Sequence, residues 1–361
     1  MSKKERVLVA MSGGVDSSVA AAILKNEGYE VIGATMKIWP EEYCLKHREK
    51  ICCSLQDIED AKKVCGQLDI RHYVLNLEKV FREEVIDYFV GEYLAGRTPN
   101  PCIVCNKKLK FGSLLRKADE LECDFVATGH YARIERNGFC RLKESVDKSK
   151  DQSYVLFSLS NAEIQKALFP VGGLNKSEVR ARAKDFGFDI FKKAESQDIC
   201  FVPEGRRYSE FIREYCGLDI QKGIVVDSIG QSVGSHNGFW NFTIGQRKGL
   251  GISHRRPLYV TDIQPDKNVV VVGDISEIKK SRFIANGISW LCKRGDTSSF
   301  SAEVKIRYNH KKAKASLQET ENKKIIVGFE KPQEAITPGQ AAVFYEGDYV
   351  LGGGWIEKVL E

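Results

Sequence analysis

The sequence predicts an α/β fold that begins with a doubly wound parallel sheet and continues into smaller β-rich domains. In the N-terminal part, short apolar runs alternate with longer amphipathic segments, which is typical of a parallel sheet covered by helices. Beyond Gly217 the chain changes to short runs of Val, Ile and Tyr broken by turn residues, which favours small antiparallel sheets or barrels. The strands are expected at 6–11, 30–37, 72–77 and 124–129, and the helices at 16–27, 55–68, 78–95 and 106–121.

The length indicates more than one domain, because 361 residues exceed what one hydrophobic core usually holds. Helix start and stop signals in NKSEVRARAKDFG and RRYSEFIREYCG predict that residues 150–216 are mainly helical. We therefore expect an α/β domain with a helical extension at 1–216, a central β domain at 217–280 and a C-terminal β domain at 281–361.

Composition and charge narrow the class of protein. The sequence has no apolar run of about 18 residues, so no transmembrane helix is expected. The first predicted strand begins at residue 6, which leaves no room for a targeting peptide and predicts a cytoplasmic protein. Reduced thiols are the rule there, so a disulfide framework is not expected, and some of the eleven cysteines are expected to be ligands or nucleophiles. The net charge of +6 is compatible with a polyanionic partner but does not require one.

VLVAMSGGVDSSVAAAIL has the order strand, tight turn, helix. Ser12, Gly13 and Gly14 form the turn, and the glycines let backbone N–H groups approach an anion closely. Asp16 and Ser17 then open a helix, whose N-terminal dipole favours phosphate oxygens. The Lys-Ser/Thr pair of a Walker A loop is absent, so the sequence predicts a phosphate loop of another kind.

SGGVDSS resembles the pyrophosphatase loop of the N-type ATP pyrophosphatases, and further stretches narrow the choice among them. These stretches occur in order along the chain: TMKIW, GRTPNPCIVCNKKLKF, ATGHYAR, KDQSYVL, SQDICF, TIGQRKGLGI, KIRYNH and TPGQAAVFY. Together they are similar to the bacterial tRNA-specific 2-thiouridylase family. The resemblance implies a HUP-like ATP pyrophosphatase domain with a parallel sheet, a small central β domain and a C-terminal β-barrel that contacts tRNA.

The resemblance also implies an activity, namely ATP-dependent thiolation of C2 of the wobble uridine in tRNA. Adenylation makes the C2 oxygen a leaving group, and a cysteine persulfide supplies the sulfur. The implied cofactors are ATP and Mg²⁺. The implied partners are tRNA and a sulfur donor protein, either a cysteine desulfurase or a sulfur-relay protein, and the enzyme is expected to be a monomer.

The two family cysteines lie in N-P-D-x-x-C-N and I-C-F motifs, which map to Cys105 and Cys200. The resemblance implies that Cys200 carries the persulfide and that Cys105 is its partner nucleophile. Position 102 departs from the motif, since it is Cys instead of Asp. Cys102, Cys105 and Cys200 could therefore hold a 4Fe-4S cluster whose open iron binds sulfide, so the persulfide and cluster routes both stay open.

The resemblance assigns further contacts. Residues expected to bind ATP are Ala10, Met11, Ser12, Gly13, Gly14, Val15, Asp16, Ser17, Met36 and Gly129. The target base is expected to meet Asn100, Pro101 and Cys102. Residues expected to contact tRNA are His130, Lys150, Asp151, Gln152, Arg307, Tyr308 and Gln340, although a histidine in this position can also be held structurally at a strand end. Cys44, Cys52 and Cys53 are interpreted as surface or packing thiols, with metal binding as the alternative.

Two other classes of protein compete with the thiouridylase. A small-molecule synthetase would share the ATP loop, but an amide-forming enzyme has little use for the paired cysteine motifs and the basic C-terminal domain. A non-catalytic metal protein that binds tRNA would keep the cysteines, but the intact SGGVDSS loop argues against it.

Overall fold

A computed structural model describes residues 4–39, 55–193, 199–203, 205–292 and 298–360. The chain divides into two compact units. The first comprises Met1–Ile86, Pro101–Gly205 and Asp348–Val350, and the second comprises Asp87–Asn100, Arg206–Gly347 and Leu351–Glu361. None of the helices in the described ranges is both long and apolar enough to cross a membrane.

A parallel sheet forms the centre of the first unit. Its strands are β1 (Arg6–Ala10), β2 (Glu30–Lys37), β3 (Arg71–Asn76), β4 (Phe125–Ala127) and β7 (Ala167–Leu168), in the order β3-β2-β1-β4-β7. β1 lies between β2 and β4, with Val9 opposite Gly33 on one side and Ala127 on the other. The strand order runs outward from β1 in both directions, so the sheet is doubly wound as predicted. β5 (Ala132–Asn137) and β6 (Phe139–Glu144) form an antiparallel hairpin.

The α-helices of this unit are α1 (Val15–Asn26), α2 (Leu55–Gln67), α3 (Glu78–Phe81), α5 (Pro101–Cys105), α6 (Leu114–Glu120), α7 (Asn161–Gln165) and α8 (Lys176–Asp185). Two π-helical segments interrupt the longer helical stretches, at Arg82–Ile86 and Asn106–Ser113. Short 3-10 turns occur at Ser153–Leu156 and Asp189–Lys192.

The core of the first unit lies between the sheet and α1, whose apolar residues from Val15 to Leu24 are almost all buried. α2 and α8 pack against the same cluster through Cys65 and Val179. β2 passes so close to α2 that a Cβ at Gly33 would lie 2.6 Å from Cys65 Sγ. Cys65 is therefore a packing thiol, and burial raises its pKa to about 12.

The second unit contains two β structures and the helices α4 (Asp87–Leu94) and α9 (Tyr208–Cys216). β8 (Gly223–Val226), β9 (Ser232–His236), β10 (Tyr259–Gln264) and β11 (Val269–Gly273) form a sheet in the order β10-β11-β8-β9. The remaining strands are β12 (Lys279–Trp290), β13 (Ser299–Lys305), β14 (Ala313–Glu319), β15 (Ile325–Glu334), β16 (Ala341–Glu346) and β17 (Tyr349–Leu360). β12 pairs with both β15 and β17, so these strands close into a barrel.

The predicted fold class is confirmed, and the observed differences have local causes. The helix expected from residue 106 begins at Pro101, because a proline in the first turn has no N–H to leave unsatisfied. Both cysteines of NPCIVCN consequently lie on a helix rather than in a turn. The hairpin at 132–144 was not anticipated, and β7 interrupts the region predicted to be mainly helical. The domain boundaries at 216 and 280 stay predictions.

Candidate functional site

Hydroxyl groups shape the loop between β1 and α1. Ser17 Oγ accepts a hydrogen bond from Ser12 N at 3.2 Å and donates one to Gly14 O at 3.1 Å. Gly14 is the N-cap of α1 and has no side chain to occupy the N–H groups of the first turn. Gly13 has a φ of +68°, and a Cβ there would lie 2.3 Å from Asp57 O, so glycine is required. The loop thus presents backbone donors at a helix N-terminus, as an anion site needs.

The other residues predicted to bind ATP lie at the carboxyl ends of neighbouring strands. Met36 is at the end of β2, and Gly129 follows β4, on the two sides of β1. A Cβ at Gly129 would lie 2.7 Å from both Asp16 C and Ser17 N, so its backbone packs directly on the first turn of α1. The structure therefore brings the loop and Gly129 together. Met11 and Val15 have buried side chains, and the Met11 N–H donates to Ala34 O at 2.8 Å, so these side chains and that N–H support the loop from within the fold.

Sequence reasoning missed the lysine that lies at this loop. Lys176, at the start of α8, places Nζ 2.7 Å and 2.8 Å from the two carboxylate oxygens of Asp16. Tyr131 also donates a hydrogen bond from its hydroxyl to Asp16 Oδ1, at 2.8 Å. Lys176 is 160 positions from Asp16 in the sequence, so no spacing pattern could have linked them. The absence of a lysine from the loop itself was the available signal.

A second lysine anchors the loop to α2. Lys193 Nζ donates hydrogen bonds to Gly13 O at 3.0 Å, Asp57 Oδ1 at 2.6 Å and Asp60 Oδ2 at 2.8 Å. Burial lowers the pKa of this ammonium, but the hydrogen bonds to the two carboxylates outweigh burial and raise it overall. Lys193 therefore stays charged and fixes the position of Gly13.

The NPCIVCN segment places its thiols on the α5 helix. Cys102 is exposed, Ile103 is buried and Cys105 is partly buried. Asn106 Nδ2 donates to Val155 O at 3.0 Å, which fastens the end of the segment to its unit. The following residues are π-helical, and in a π-helix residues five apart are about one turn apart. Lys110 therefore follows Cys105 by about one turn.

The charge of Lys110 acts on the Cys105 thiol. Burial raises the pKa of Cys105, and the charge of Lys110 opposes that rise without cancelling it. The neighbouring lysines form ion pairs with other residues. Lys107 pairs with Glu163 at 2.6 Å, and Lys108 pairs with Glu84 at 3.0 Å. In this conformation the thiol form of Cys105 is favoured at neutral pH.

His130 positions Lys110. Its Nε2 lies 3.4 Å from Lys110 Nζ, and its Nδ1 lies 2.6 Å from Thr128 Oγ1. Burial and the charge of Lys110 lower the pKa of His130 well below its usual range, so the ring is neutral. Since the ammonium can only donate, Nε2 accepts and the Nδ1 proton faces Thr128. This placement is the structural alternative for His130, and its predicted contact with tRNA stays a prediction.

Cys200 directly precedes Phe201, which packs in a cluster of aromatic rings. Phe201 is buried and meets Phe81 edge-on, with ring centroids 5.7 Å apart, and Phe81 in turn meets Trp39 at 6.1 Å. Cys200 itself is partly buried. Residues 196–198 of SQDICF lie outside the described residues.

The predicted ligand set for a cluster was tested against these positions. In the described ranges, no three His, Cys, Asp or Glu side chains come close enough together to hold a metal ion. Cys102, Cys105 and Cys200 therefore do not fit an iron-sulfur cluster as they are placed, and we derive no step through one. Cys44, Cys52 and Cys53 lie outside the described residues.

The KDQ segment, residues 150–152, supports the phosphate loop indirectly, through hydrogen bonds to Tyr131. Asp151 is buried and accepts hydrogen bonds from Ser145 N at 2.9 Å and Ser153 Oγ at 2.7 Å. Gln152 Oε1 accepts from Tyr131 N at 2.9 Å, and Gln152 N donates to Tyr131 O at 2.8 Å. These bonds hold the tyrosine that contacts Asp16. The predicted tRNA contacts of Lys150, Asp151 and Gln152 stay predictions.

In the second unit, Gln340 holds the segment that leads to Asn100. Gln340 is buried, and its Nε2 donates to Thr98 O at 2.9 Å and to Pro99 O at 3.1 Å. Arg307 supports the turn at 337–340, which ends at Gln340, since its Nη2 donates to Thr337 Oγ1 at 2.7 Å. The tRNA contacts predicted for Arg307, Tyr308 and Gln340 were not tested by these positions.

Sequence reasoning also missed a basic loop in the second unit. Its exposed arginines, Arg247, Arg255 and Arg256, line a cavity together with His254, Leu250 and glycines. Lys248 is exposed in the same loop. The signal was present in the sequence as two short basic runs, RK and HRR, within twelve residues.

A phosphate loop at the carboxyl edge of a doubly wound parallel sheet defines a nucleotide-binding α/β protein. Three family models match the chain: the tRNA methyl transferase HUP domain at 5–204, the tRNA methyl transferase PRC-barrel domain at 209–274 and the aminomethyltransferase beta-barrel domain at 280–356.

Curated relatives match over the full length. The tRNA-specific 2-thiouridylase MnmA of Halothermothrix orenii is 49% identical, over 98% of this chain and 99% of the relative. The tRNA-specific 2-thiouridylase MnmA of Caldicellulosiruptor saccharolyticus is 48% identical, over 99% of each. The chain belongs to the tRNA-specific 2-thiouridylase family.

Substitution of Gly129 tests the packing of the loop. We expect Gly129→Ala to weaken ATP binding at least tenfold, because its Cβ would force the first turn of α1 to move. Overpacking of this kind costs about 1–3 kcal/mol of unfolding free energy. Calorimetric titration with ATP and urea unfolding measure the two effects. Gly66→Ala in α2 is the control, because a Cβ there meets nothing within 4 Å. Unchanged ATP affinity in Gly129→Ala would contradict the packing argument.

The pH dependence of Cys105 alkylation tests the role of Lys110. Because the pKa of Cys105 is raised, we expect its reaction with iodoacetamide to reach half its maximal rate at a pH above that of an ordinary thiol. Lys110→Met should move that midpoint still higher, since the opposing charge is lost. Tandem mass spectrometry separates Cys105 from Cys102 on one peptide.

Lys108→Met is the matched control, since Lys108 belongs to the same π-helical segment and pairs with Glu84. It should leave the midpoint unchanged. A midpoint that responds equally to both substitutions would show that Lys110 has no particular influence on the thiol.

Proposed function

We propose that this protein thiolates C2 of the wobble uridine of tRNA in an ATP-dependent reaction, with Cys200 as the persulfide carrier and Cys105 as the second thiol. The observation that carries the proposal is that the phosphate loop and both motif cysteines belong to the same compact unit. A small-molecule synthetase would need the first of these features alone. The full-length relatives, which are named as tRNA-specific 2-thiouridylases, support the same substrate.

In the first step the C2 oxygen of uridine attacks the α-phosphorus of ATP. Pyrophosphate leaves, the uracil N3 proton is lost and an O-adenylated base remains. Backbone N–H groups of the loop and the N-terminus of α1 are placed to stabilise the phosphate charge. Mg²⁺, when bound with ATP, neutralises phosphate oxygens, and the Asp16 carboxylate is a suitable oxygen ligand at the loop.

In the second step the terminal sulfur of the Cys200 persulfide attacks C2, and AMP leaves with the C–O bonding electrons. The Cys105 thiolate then attacks the Cys200 sulfur, which forms a disulfide and releases the 2-thiouridine. This exchange requires the two cysteine sulfurs to reach a bonding distance of about 2 Å. An external dithiol must return two electrons to the disulfide before the next turnover. A cysteine desulfurase or a sulfur-relay protein would reload Cys200.

The raised pKa of Cys105 matters for this step, because the thiolate is the nucleophile. Lys110 is the group that opposes the rise, and neutral His130 keeps its ammonium in place. The exposed Cys102 lies three residues earlier on the same helix, next to Asn100 and Pro101, where the flipped base is expected. A thiol at position 102 cannot serve as the aspartate of the family motif does.

The tRNA surface includes the exposed cations of the loop around Arg247, Lys248, Arg255 and Arg256. Cations of this kind bind phosphates without reading sequence, and their contribution falls as salt rises. We expect the enzyme to act as a cytoplasmic monomer on a tRNA whose wobble base has left its stack.

Reconstitution tests the proposal. Protein purified anaerobically is incubated with unmodified tRNA, ATP, Mg²⁺ and either a cysteine desulfurase with cysteine or free sulfide. The digested RNA is then analysed for 2-thiouridine. We expect Cys105→Ser and Cys200→Ser to reduce 2-thiouridine at least 100-fold while tRNA-dependent AMP-tRNA adduct formation persists, because adenylation uses neither thiol.

Cys216→Ser is the matched control, since Cys216 is exposed and lies on α9 in the other unit. It should retain wild-type activity. No thiolated nucleoside from the wild-type protein with either sulfur source would sink the proposal. Activity that needs protein-bound iron and uses free sulfide would instead favour the cluster route.

A further inference from the structure

The phosphate loop carries a negative charge, although the ligand expected there is also an anion. Residues Ala10–Ser17 contain no lysine or arginine, and their one ionisable side chain is the Asp16 carboxylate. Asp16 lies in the first turn of α1, where a phosphate group is expected. A carboxylate so near a polyphosphate is repulsive unless a cation offsets it. The loop therefore needs a positive charge from another part of the chain.

We propose that Lys176 supplies this charge by binding the β- or γ-phosphate of ATP, and that Asp16 and Tyr131 hold its ammonium at the loop until ATP arrives. The inference rests on the proposed use of ATP. Lys176 Nζ lies 2.7 Å and 2.8 Å from the carboxylate oxygens of Asp16. The Lys176 side chain is 13% exposed, so it is confined to the loop rather than extended into solvent.

The surrounding structure fixes the position of Lys176. Its backbone N–H donates to Asp147 Oδ2 at 3.1 Å, at the start of α8. Its ammonium also lies 5.7 Å from the centroid of the Tyr131 ring. Tyr131 is held in turn by Gln152, whose side-chain Oε1 accepts from Tyr131 N at 2.9 Å and whose N–H donates to Tyr131 O at 2.8 Å. The ammonium is therefore presented to the loop before any ligand binds.

When ATP binds, the Lys176 ammonium would exchange its carboxylate partner for a phosphate. Phosphate oxygens would take the hydrogen bonds of the Lys176 ammonium that Asp16 now accepts, and charge-assisted bonds of this kind are strong. Asp16 would keep the hydrogen bond from Tyr131, and its freed oxygen could serve Mg²⁺, which favours carboxylate and phosphate oxygens together. The exchange forms and breaks no covalent bond.

Lys193 is a poorer candidate for this role, although it also reaches the loop. Its three donors meet Gly13 O, Asp57 and Asp60, and two carboxylates offset its charge with an excess of one negative charge. The described contact of the Lys176 ammonium is with the carboxylate of the phosphate loop itself, which a phosphate can replace.

Affinities for ATP and AMP separate the proposed role from a merely structural one. We expect Lys176→Met to weaken ATP binding about 10- to 100-fold, equivalent to about 1.4–2.8 kcal/mol. AMP lacks the β- and γ-phosphates, so its affinity should change less than about threefold. Lys176→Arg should recover part of the ATP affinity because the charge is kept. Isothermal titration with each nucleotide measures these values.

Lys184→Met is the matched control, because Lys184 is an exposed lysine of the same helix. It should bind both nucleotides like the wild type. Equal losses for ATP and AMP in Lys176→Met would make Lys176 a structural support, and an unchanged ATP affinity would place it away from the phosphates. Either result overturns the inference.

A second measurement uses the unsubstituted protein and does not depend on folding of a variant. Acetic anhydride labelling of Lys176, read by mass spectrometry, should be suppressed by ATP and by pyrophosphate but not by AMP. Equal labelling with all three ligands would overturn the inference. If the wild-type protein binds no ATP, the proposed function fails as well. If it binds ATP and thiolates tRNA while Lys176 fails these tests, the proposed function survives.

Discussion

The candidate site depends on the close approach of two backbone segments, the residue after β4 and the first turn of α1. Gly129 leaves no room for a Cβ against Asp16 and Ser17, so the helix N-terminus is seated on the end of the neighbouring strand. That seating directs the N–H groups of the first turn toward the carboxyl edge of the sheet. The same contact fixes Asp16, and Asp16 in turn meets Lys176 and Tyr131. The phosphate loop, its cation and its supporting segment are thus one connected arrangement.

The sulfur chemistry meets a different constraint, which is the conflict between burial and charge. A partly buried thiol resists ionisation, yet sulfur exchange needs a thiolate. The π-helical segment after Cys105 moderates the conflict because it places Lys110 about one turn from Cys105. Within that segment Gly112 has no Cβ, which would lie 3.0 Å from Lys107 O. His130 contributes by staying neutral, since a charged imidazole would repel the ammonium it holds. Burial still prevails over the lysine in this conformation, so the pKa of Cys105 stays raised.

Features carried by local pattern could be predicted from the sequence, and features made by distant contacts could not. The strands of the parallel sheet and the loop at Ser12–Ser17 follow from periodicity and glycine chemistry, and the structure has them where they were expected. Lys176 reaches Asp16 only through the packing of α8 on α1, which no spacing rule encodes. The hydrogen bonds from the Gln340 amide to Thr98 and Pro99 are a second example, because they join positions more than 240 residues apart. The contact with tRNA that the motif resemblance indicates for Gln340 stays a prediction.

Position 102 shows that the family pattern predicts the placement of a residue better than its chemistry. The side chain there is exposed on a helix whose position is fixed by neighbours such as Pro101 and Ile103, which are buried. Exchange of a carboxylate for a thiol at an exposed position changes no packing, so Cys105 keeps its place whichever group stands at 102. What changes is chemistry, since a carboxylate offers an anionic oxygen as a proton acceptor at neutral pH and a cysteine side chain has no such oxygen. In the proposed reaction the uracil N3 proton would therefore pass to another base or to water, while the position of Cys105 would be unaltered.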